Sequence, residues 1–589
     1  MSHTLFSSHE SVISFNEERD LELFESPNKS HTGVWKKFDQ TQTKLGQNGL
    51  QEFFKNPTSN VTVLKNRQNI LQKFLVDNDV TKKVTYALQA FSNNEFGFID
   101  AADVKKNAVA QTIISSFYFE YAWLKKFNSS PEALDLKNTC KTLGLFSPLI
   151  EHIILHVGLE HIKNALGKNE DDHAACDHEH DHHDHICIDS LKPRSDASTL
   201  VQSLFIALQA GHWVMHAISF KEMIEYTQQQ IAVINELYKQ LAAIKICLES
   251  MELINAILKK DPLLLQAFGK DNPITRLFAK LSDTTVTSAA KELIDLLSDK
   301  YFDSTDDLSI FSSIGKTLRA HKLLYDALPE LQPALTMVGQ LDAYLSVATK
   351  LHKTEHANAQ FCLVNFVENS DMPIIRMHKL WNIMLDQDHV IANDICLGDT
   401  HNPSKIIITG PNKTGKSSFI KALALNIIFA QTFGIAAAHS AEITVFNKVL
   451  SYITVTDDIL NDKSMLVAEI LRADQCLKDL KLLKKNEFAF VVIDDSLFKG
   501  TTFEKGQEAA YQFIKEIGSY DNSIACIATH LPALTKFEAG NSGFANYRIK
   551  IDLDRSGISY STFTLEKGVS SPDDVFNVIR SQDYALSWL

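Results

Sequence analysis

An apolar, strand-like run from Lys405 to Thr409 leads directly into Gly410, Pro411, Asn412, Lys413, Thr414, Gly415, Lys416 and Ser417, and a helical run from Ser418 to Thr432 follows. This is GxxxxGK[ST] between a strand and a helix, the context in which the string carries a mechanism. The glycines let backbone amides turn inward on a phosphate chain, and the helix start adds the positive end of its dipole. Lys416 can meet the terminal phosphates and Ser417 can hold Mg²⁺. Few sequence features limit a fold as tightly, because the loop has to sit between a strand and a helix.

A phosphate loop needs a carboxylate to hold the metal, usually at the end of another apolar strand. Phe488 to Ile493 ends in Asp494 and Asp495 and supplies it. A third apolar run, Ser523 to Ala528, ends in Thr529 and His530, and a histidine there is placed to sense the terminal phosphate or its attacking water.

The remainder of the chain has a different texture. From Trp35 to about His378 the apolar residues recur at three and four, the helical period. The clearest stretch, His212 to Asp261, has neither Gly nor Pro; as one continuous helix its fifty residues reach about 75 Å, and polar breaks near Ser250 or Asn255 equally allow two helices. A further helix is expected over Ala334 to Leu351, directly after Pro333. Beyond Pro373, β-branched runs alternate with helical ones. The expected order is a loosely ordered arm (1–34), an all-α helical body (35–372) and an α/β phosphate-loop domain (373–589).

Charge and cysteine content narrow the function classes. The 589 residues carry a net charge of -14, which disfavours a dedicated basic nucleic-acid binder. Of that charge, -8 comes from Glu170 to Asp189 alone; from His401 onward 20 basic residues face 21 acidic ones, so DNA binding stays open. Eight scattered cysteines lack the density of a disulfide framework and fit a reducing, cytoplasmic setting. No basic start followed by an apolar core opens the chain, and the apolar stretch Ala422 to Ala438 reads as a buried helix, so no membrane association is expected.

The acidic segment at 170–189 also concentrates imidazole: His173, His178, His180, His182, His183 and His185, flanked by Cys176 and Cys187. Such density can bind Zn²⁺ or another transition metal. The spacing matches no closed tetrahedral site, and His alternating with acid reads equally as a solvated loop.

Taken together, these strings resemble those of the MutS ATPases of DNA mismatch repair and recombination. Thr409 to Ser417 is similar to that family's TGPNxxGKS, a more restrictive string than the generic loop. His389 to Ile395 resembles the segment that packs on adenine, which implies contacts from Val390 and Ile391, with Ser418 following the loop. Asp457 to Glu469 resembles the family's signature stretch, whose serine, here Ser464, reaches the nucleotide of the opposing subunit. Gly500-Thr501 and Ala528-Thr529-His530 follow in the family's order. Upstream, Phe38 to Gly46 resembles the opening of the helical core domain and Gly339 to Ser346 its last helix. The resemblance implies a multidomain chain, helical core and lever followed by an ABC-like phosphate-loop domain, that binds ATP and Mg²⁺, dimerises through its ATPase domains and binds DNA.

The sequence also departs from the family, which ordinarily has Asp-Glu before Gly-Thr. Counting back from Gly500-Thr501 puts Asp495 on the metal and Ser496 on the catalytic Glu. Counting forward from the strand makes Asp494 the ligand and Asp495 a shortened acid. Neither register restores Glu, and a serine cannot accept a proton from water at neutral pH, so slow or absent hydrolysis is expected. Asp462 and Lys463 alter the signature stretch. Nothing before Trp35 resembles a mismatch-reading domain, so direct mismatch recognition in the usual way is not expected. Two functions follow: a nucleotide-driven dimeric switch on DNA in repair or recombination, or an assembly module locked by ATP without turnover and without direct mismatch recognition.

Overall fold

The structure is a computed structural model, described here for residues 11–25, 32–99, 108–145, 195–304, 307–308, 314–354, 359–385, 387–453, 465–495, 497–540, 543–553, 555 and 559–571. Its contacts define two compact units. One comprises Met1–Asn93, Glu249–Asp283 and Pro329–Leu589; the other comprises Asn94–Leu248 and Thr284–Leu328.

The first unit is built on a six-stranded sheet in the order Ser559–Lys567, Phe544–Leu553, Lys405–Thr409, Ser523–Thr529, Ala489–Ile493, Lys448–Tyr452. Every pairing is parallel except that of the outer two strands, Phe544–Leu553 and Ser559–Lys567. Parallel strands covered on both faces read as unbroken apolar runs. Lys405–Thr409, Ala489–Ile493 and Ser523–Thr529 are accordingly buried at every position. The phosphate-loop helix, Lys416–Phe433, is buried along almost its whole length, as its composition predicts.

A second, four-stranded sheet, ordered Asn365–Phe366, Ser440–Ile443, Ile375–Leu380, Asn393–Leu397, lies beyond what the sequence reading anticipated. Its strands are short and half-exposed, as in Asn393–Leu397, and the weak alternation of such strands is easily missed.

Helices Lys44–Lys55 and Val61–Val76 pack in the same unit. Phe38, Phe53 and Phe54 meet Phe429 and Phe433 of the phosphate-loop helix at ring separations of 5.1 to 5.7 Å. Buried Arg67 lies 4.9 Å over Phe53 and donates to the Thr432 carbonyl. The two family-like upstream segments interlock. The Asp342 carboxylate accepts from the Thr43 amide at 2.8 Å and the Thr43 hydroxyl at 2.7 Å, while Ser346 donates to the Phe38 carbonyl at 2.6 Å. A Cβ on Gly46 would stand 2.0 Å from Asp342 Oδ2, so the approach needs glycine.

One open alternative is decided and two expectations need correction. Of the two alternatives for 212–261 the continuous one is found: His212 to Lys260 belong to a single helix, Ser195–Lys260, unbroken at Ser250 or Asn255, and Asp261 caps the next helix; both polar residues are buried, so their polarity does not mark a solvent-exposed break. Pro333 does not precede a helix but lies inside Gly315–Lys353, as does Pro329. Most of that helix's final stretch is buried, so packing outweighs the two lost amide donors. The N-terminal segment is not loose where it is described. Helix Phe15–Asp20 begins with a Ser14–Glu17 capping box. The Val449 amide donates to Val12 O at 2.9 Å, which lays this segment on edge strand Lys448–Tyr452. Buried Asp20 accepts from Arg472 at 2.7 Å and from the Ser451 hydroxyl at 2.8 Å. Composition alone could not reveal these partners, which lie more than four hundred residues away.

The second unit contains helices Ala108–Ser116, Pro131–Leu145 and Ala289–Leu297, with Ile113, Phe117, Leu134, Ile234, Leu237 and Leu318 in one buried cluster. The histidine-rich segment with its candidate metal ligands lies outside the described residues, as do Ser464 and Ser496. Among the described residues no helix is long and apolar enough to cross a membrane.

Candidate nucleotide site

The parallel strands Lys405–Thr409, Ala489–Ile493 and Ser523–Thr529 end at one edge of the sheet, and their pairing brings three distant sequence motifs together. Gly410 to Gly415 forms the loop between its strand and the phosphate-loop helix. Gly415 sits before that helix at φ 109°, and Lys413 adopts φ 67°. A side chain at 415 is excluded twice over, by that φ and because its Cβ would lie 2.8 Å from Phe563 Cδ1. Thr414 donates to Pro411 O at 2.8 Å and its own carbonyl accepts from Ser561 at 2.8 Å, so the loop is braced from inside and from the neighbouring strand.

Lys416 is buried, with its ammonium 2.7 Å from Gly410 O and 3.6 Å from Asp495 Oδ2. Burial pulls its pKa below the usual lysine range, against the opposing pull of Asp495 and Asp494. The adjacent Ser417 hydroxyl donates to Asp494 Oδ1 at 2.8 Å.

Asp495 has different partners. One of its oxygens accepts from the His530 amide at 2.9 Å and also meets His530 Nδ1. Burial raises the Asp495 pKa, but the His530 hydrogen bond and charge, with Lys416, outweigh it and hold the carboxyl below its usual range. A 230 Å³ cavity continues past this pair, lined by Thr501, Phe503, Gln507 and Thr529 among others. The loop leading to Gly500 turns through Phe498 at φ 50°. Buried Glu469 fixes that loop by accepting from the Lys499 amide at 2.8 Å and the Gly500 amide at 3.0 Å. Thus helix Met465–Leu482, which follows Ser464, is tied to the acidic strand end.

A cavity of 410 Å³ opens on the other side of the loop, lined by Ile391, Asn393, Gly415, Ser418, Phe419 and Phe563 among others. Ile391 and Ser418, expected at the nucleotide, line this cavity, whereas Val390 is half-buried and outside the lining. Phe563 was not anticipated. It lies on the outer antiparallel strand at φ 56°, and Asn393 holds that strand, donating to Phe563 O at 3.1 Å and accepting from the Leu565 amide at 2.7 Å. No local motif marks it; only the fold carries it to the loop.

The chemistry available is therefore an amide-lined phosphate cradle with one cation, paired hard oxygens suited to Mg²⁺, a carboxylate–imidazole pair one residue further on, and an aromatic-walled slot. Among the described residues, no cluster of three or more His, Cys, Asp or Glu is arranged to hold a metal ion.

Comparison with known proteins gives a consistent result. The family described as MutS domain V matches residues 406–580. The chain is similar to the DNA mismatch repair protein MutS of Clostridium novyi (strain NT), 23% identical over 561 residues, covering 92% of this chain and 54% of that protein. The protein of the same name from Lactobacillus delbrueckii subsp. bulgaricus is 26% identical over 260 residues, 44% of this chain and 28% of the relative. That of Fusobacterium nucleatum subsp. nucleatum is 28% identical over 183 residues, 31% of this chain and 20% of the relative. Where the match runs through nearly the whole chain, it spans about half the length of the relative.

Proposed function

This chain belongs to the MutS family, and from that premise we propose that it is an ATP-binding and ATP-hydrolysing, DNA-binding protein of mismatch repair or recombination, working as a dimeric switch. One observation carries the reading: the phosphate loop's serine and the two carboxylates at the end of Ala489–Ile493, two strands away in the sheet, converge, with Ser417 on Asp494 and His530 on Asp495.

Each residue then has a role. The loop amides and Lys416 take the phosphates, Ile391 and Phe563 face the base, and Ser417 with Asp494 holds Mg²⁺. Bound there, Mg²⁺ supplies charge neutralisation at the terminal phosphates. Asp495 accepts the proton of the attacking water, and His530 orients that carboxylate and stabilises its charge. Ser464, at the head of helix Met465–Leu482, reaches the partner's nucleotide in the dimer. Asp495 beside His530 supports turnover over the assembly module without hydrolysis, which drew on Ser496 at the place of the acid, the acidic net charge and the lack of a segment resembling the mismatch-reading domain.

The test is ATP hydrolysis by the full chain with and without duplex and branched DNA. Turnover that DNA modulates and that Lys416→Ala abolishes is the expected result. Absence of saturable ATP binding in the presence of Mg²⁺ overturns the reading.

A further inference from the structure

The second compact unit carries a surface that the nucleotide site does not use. Between helices Ala108–Ser116 and Pro131–Leu145 the chain reads Phe117-Tyr-Phe-Glu-Tyr121-Ala-Trp123-Leu-Lys125-Lys126-Phe127. Its neck is closed by Asn128, which is 7% exposed. The Phe119 amide donates to Asn128 Oδ1 at 2.8 Å, and Asn128 Nδ2 donates back to Phe119 O at 3.1 Å. Lys137 braces the same neck by donating to the carbonyls of Ser116 and Tyr118. Two turns, Tyr121 O to the Leu124 amide and Leu124 O to the Phe127 amide, each at 2.9 Å, order the tip.

A loop fixed in this way nevertheless turns its rings outward. Tyr121 and Trp123 are each 72% exposed and Phe127 40%. The fold gains little from two large aromatics left in water, so their use lies in what they meet there. Lys126 lies 5.2 Å from the Phe127 ring, Lys137 5.3 Å from Phe119 and Lys141 5.5 Å from Phe117. Among the described contacts no cation covers Tyr121 or Trp123, so their faces are open. Lys125 and Lys126 are exposed beside them, and Glu120 is the single carboxylate between 117 and 130. In a chain of net charge -14 this is a local reversal of sign.

Open aromatic faces next to exposed ammonium groups complement a strand that offers unpaired bases on one side and phosphates on the other. We propose that this loop binds single-stranded DNA, with Tyr121 and Trp123 stacking on bases and Lys125 and Lys126 meeting the flanking phosphates. The proposal takes its polymer from the DNA-binding reading above but is independent of the nucleotide site.

The test is fluorescence anisotropy of a labelled oligothymidylate with the full chain. Trp123→Ala and Tyr121→Ala are each expected to weaken binding by about tenfold, about 1.4 kcal/mol, while Trp123→Phe keeps most of the affinity. Lys125→Ala with Lys126→Ala flattens the slope of log K against log salt by about 1.4. Circular dichroism and thermal melts matching the wild type show that the variants fold, and ATP binding in the other unit stays at the wild-type level. If the alanine variants bind oligothymidylate like the wild type while duplex binding persists, the loop assignment is overturned and the functional reading stands. Loss of affinity for anionic vesicles or a co-purifying protein, with oligothymidylate unaffected, overturns it in favour of that other partner. If no DNA of any form is bound, both readings fall.

Discussion

The Ser417 hydroxyl donates to Asp494 Oδ1 across 2.8 Å, although 77 residues separate them in the chain. This contact supports the register in which Asp494 is the metal ligand and Asp495 the shortened acid. Asp494 stands on the serine that follows the loop lysine, and Asp495 is displaced toward His530. Ser417→Ala and Asp494→Asn are each expected to weaken Mg²⁺-dependent ATP binding by about tenfold or more, with little effect on binding in EDTA. Titration calorimetry with and without Mg²⁺ checks this; equal losses in EDTA would refute the metal assignment.

In the proposed mechanism Asp495, which meets His530, supplies the base in place of Ser496. Asp495→Asn is expected to lower the hydrolysis rate by about a hundredfold or more while ATP still binds. Ser496→Glu in the Asp495→Asn background does not restore the rate. Phosphate release under single-turnover conditions decides, and rescue by the glutamate would restore the other register.

The aromatic wall can be tested apart from the chemistry. Phe563→Ala removes the ring over Gly415 and is expected to raise the ATP dissociation constant about tenfold, with a smaller change for inorganic triphosphate, which has no base. Competition binding with the two ligands measures the difference. An equal loss for both would mean that Phe563 supports the loop and not the base.

Asp20 and Arg472 form a buried pair at 2.7 Å, with side chains 0% and 10% exposed. Removing Asp20 leaves buried Arg472 with only the more distant Glu17, at 3.7 Å, and the Ser451 carbonyl, so Asp20→Ala is expected to destabilise the first unit by about 3 kcal/mol. Urea unfolding followed by a probe in that unit reads this directly. A loss below about 1 kcal/mol would mean that the N-terminal segment detaches from the sheet edge at little cost.

His321 gives the second unit a pH dependence. Burial lowers its pKa from the ordinary 6.5 to about 4. The unfolded chain therefore takes up this proton first as pH falls, so the stability is complete above about pH 6.5 and lost as pH drops toward 4. The expected loss is about 3 kcal/mol, and His321→Phe removes most of it. Thermal melts of both proteins between these pH values test the sign; identical slopes would refute the assignment.

Much of the fold could be read along the chain. The core strands are continuous apolar runs because both faces of a parallel sheet are covered, and the phosphate loop is legible because its glycines and lysine are required in order and close together. The helical body was visible as a period, but its breaks were not: Ser250, Asn255 and Pro333 have the composition of interruptions and sit within helices held by burial. Phe563 and Asn393 escaped because a residue that completes a site from another strand leaves no local pattern.

The sequence by itself determined a phosphate-binding α/β domain joined to helices, since that outcome rests on local strings and periodicities. Tertiary structure alone decided which aspartate faces Ser417 and which faces His530, what lines the slot beside Gly415, and that the N-terminal segment is docked on the sheet edge. Those outcomes depend on distances of a few ångströms between residues far apart in the chain. One residue of shift in a strand end moves a carboxylate from one partner to the other, and only the paired sheet fixes that register.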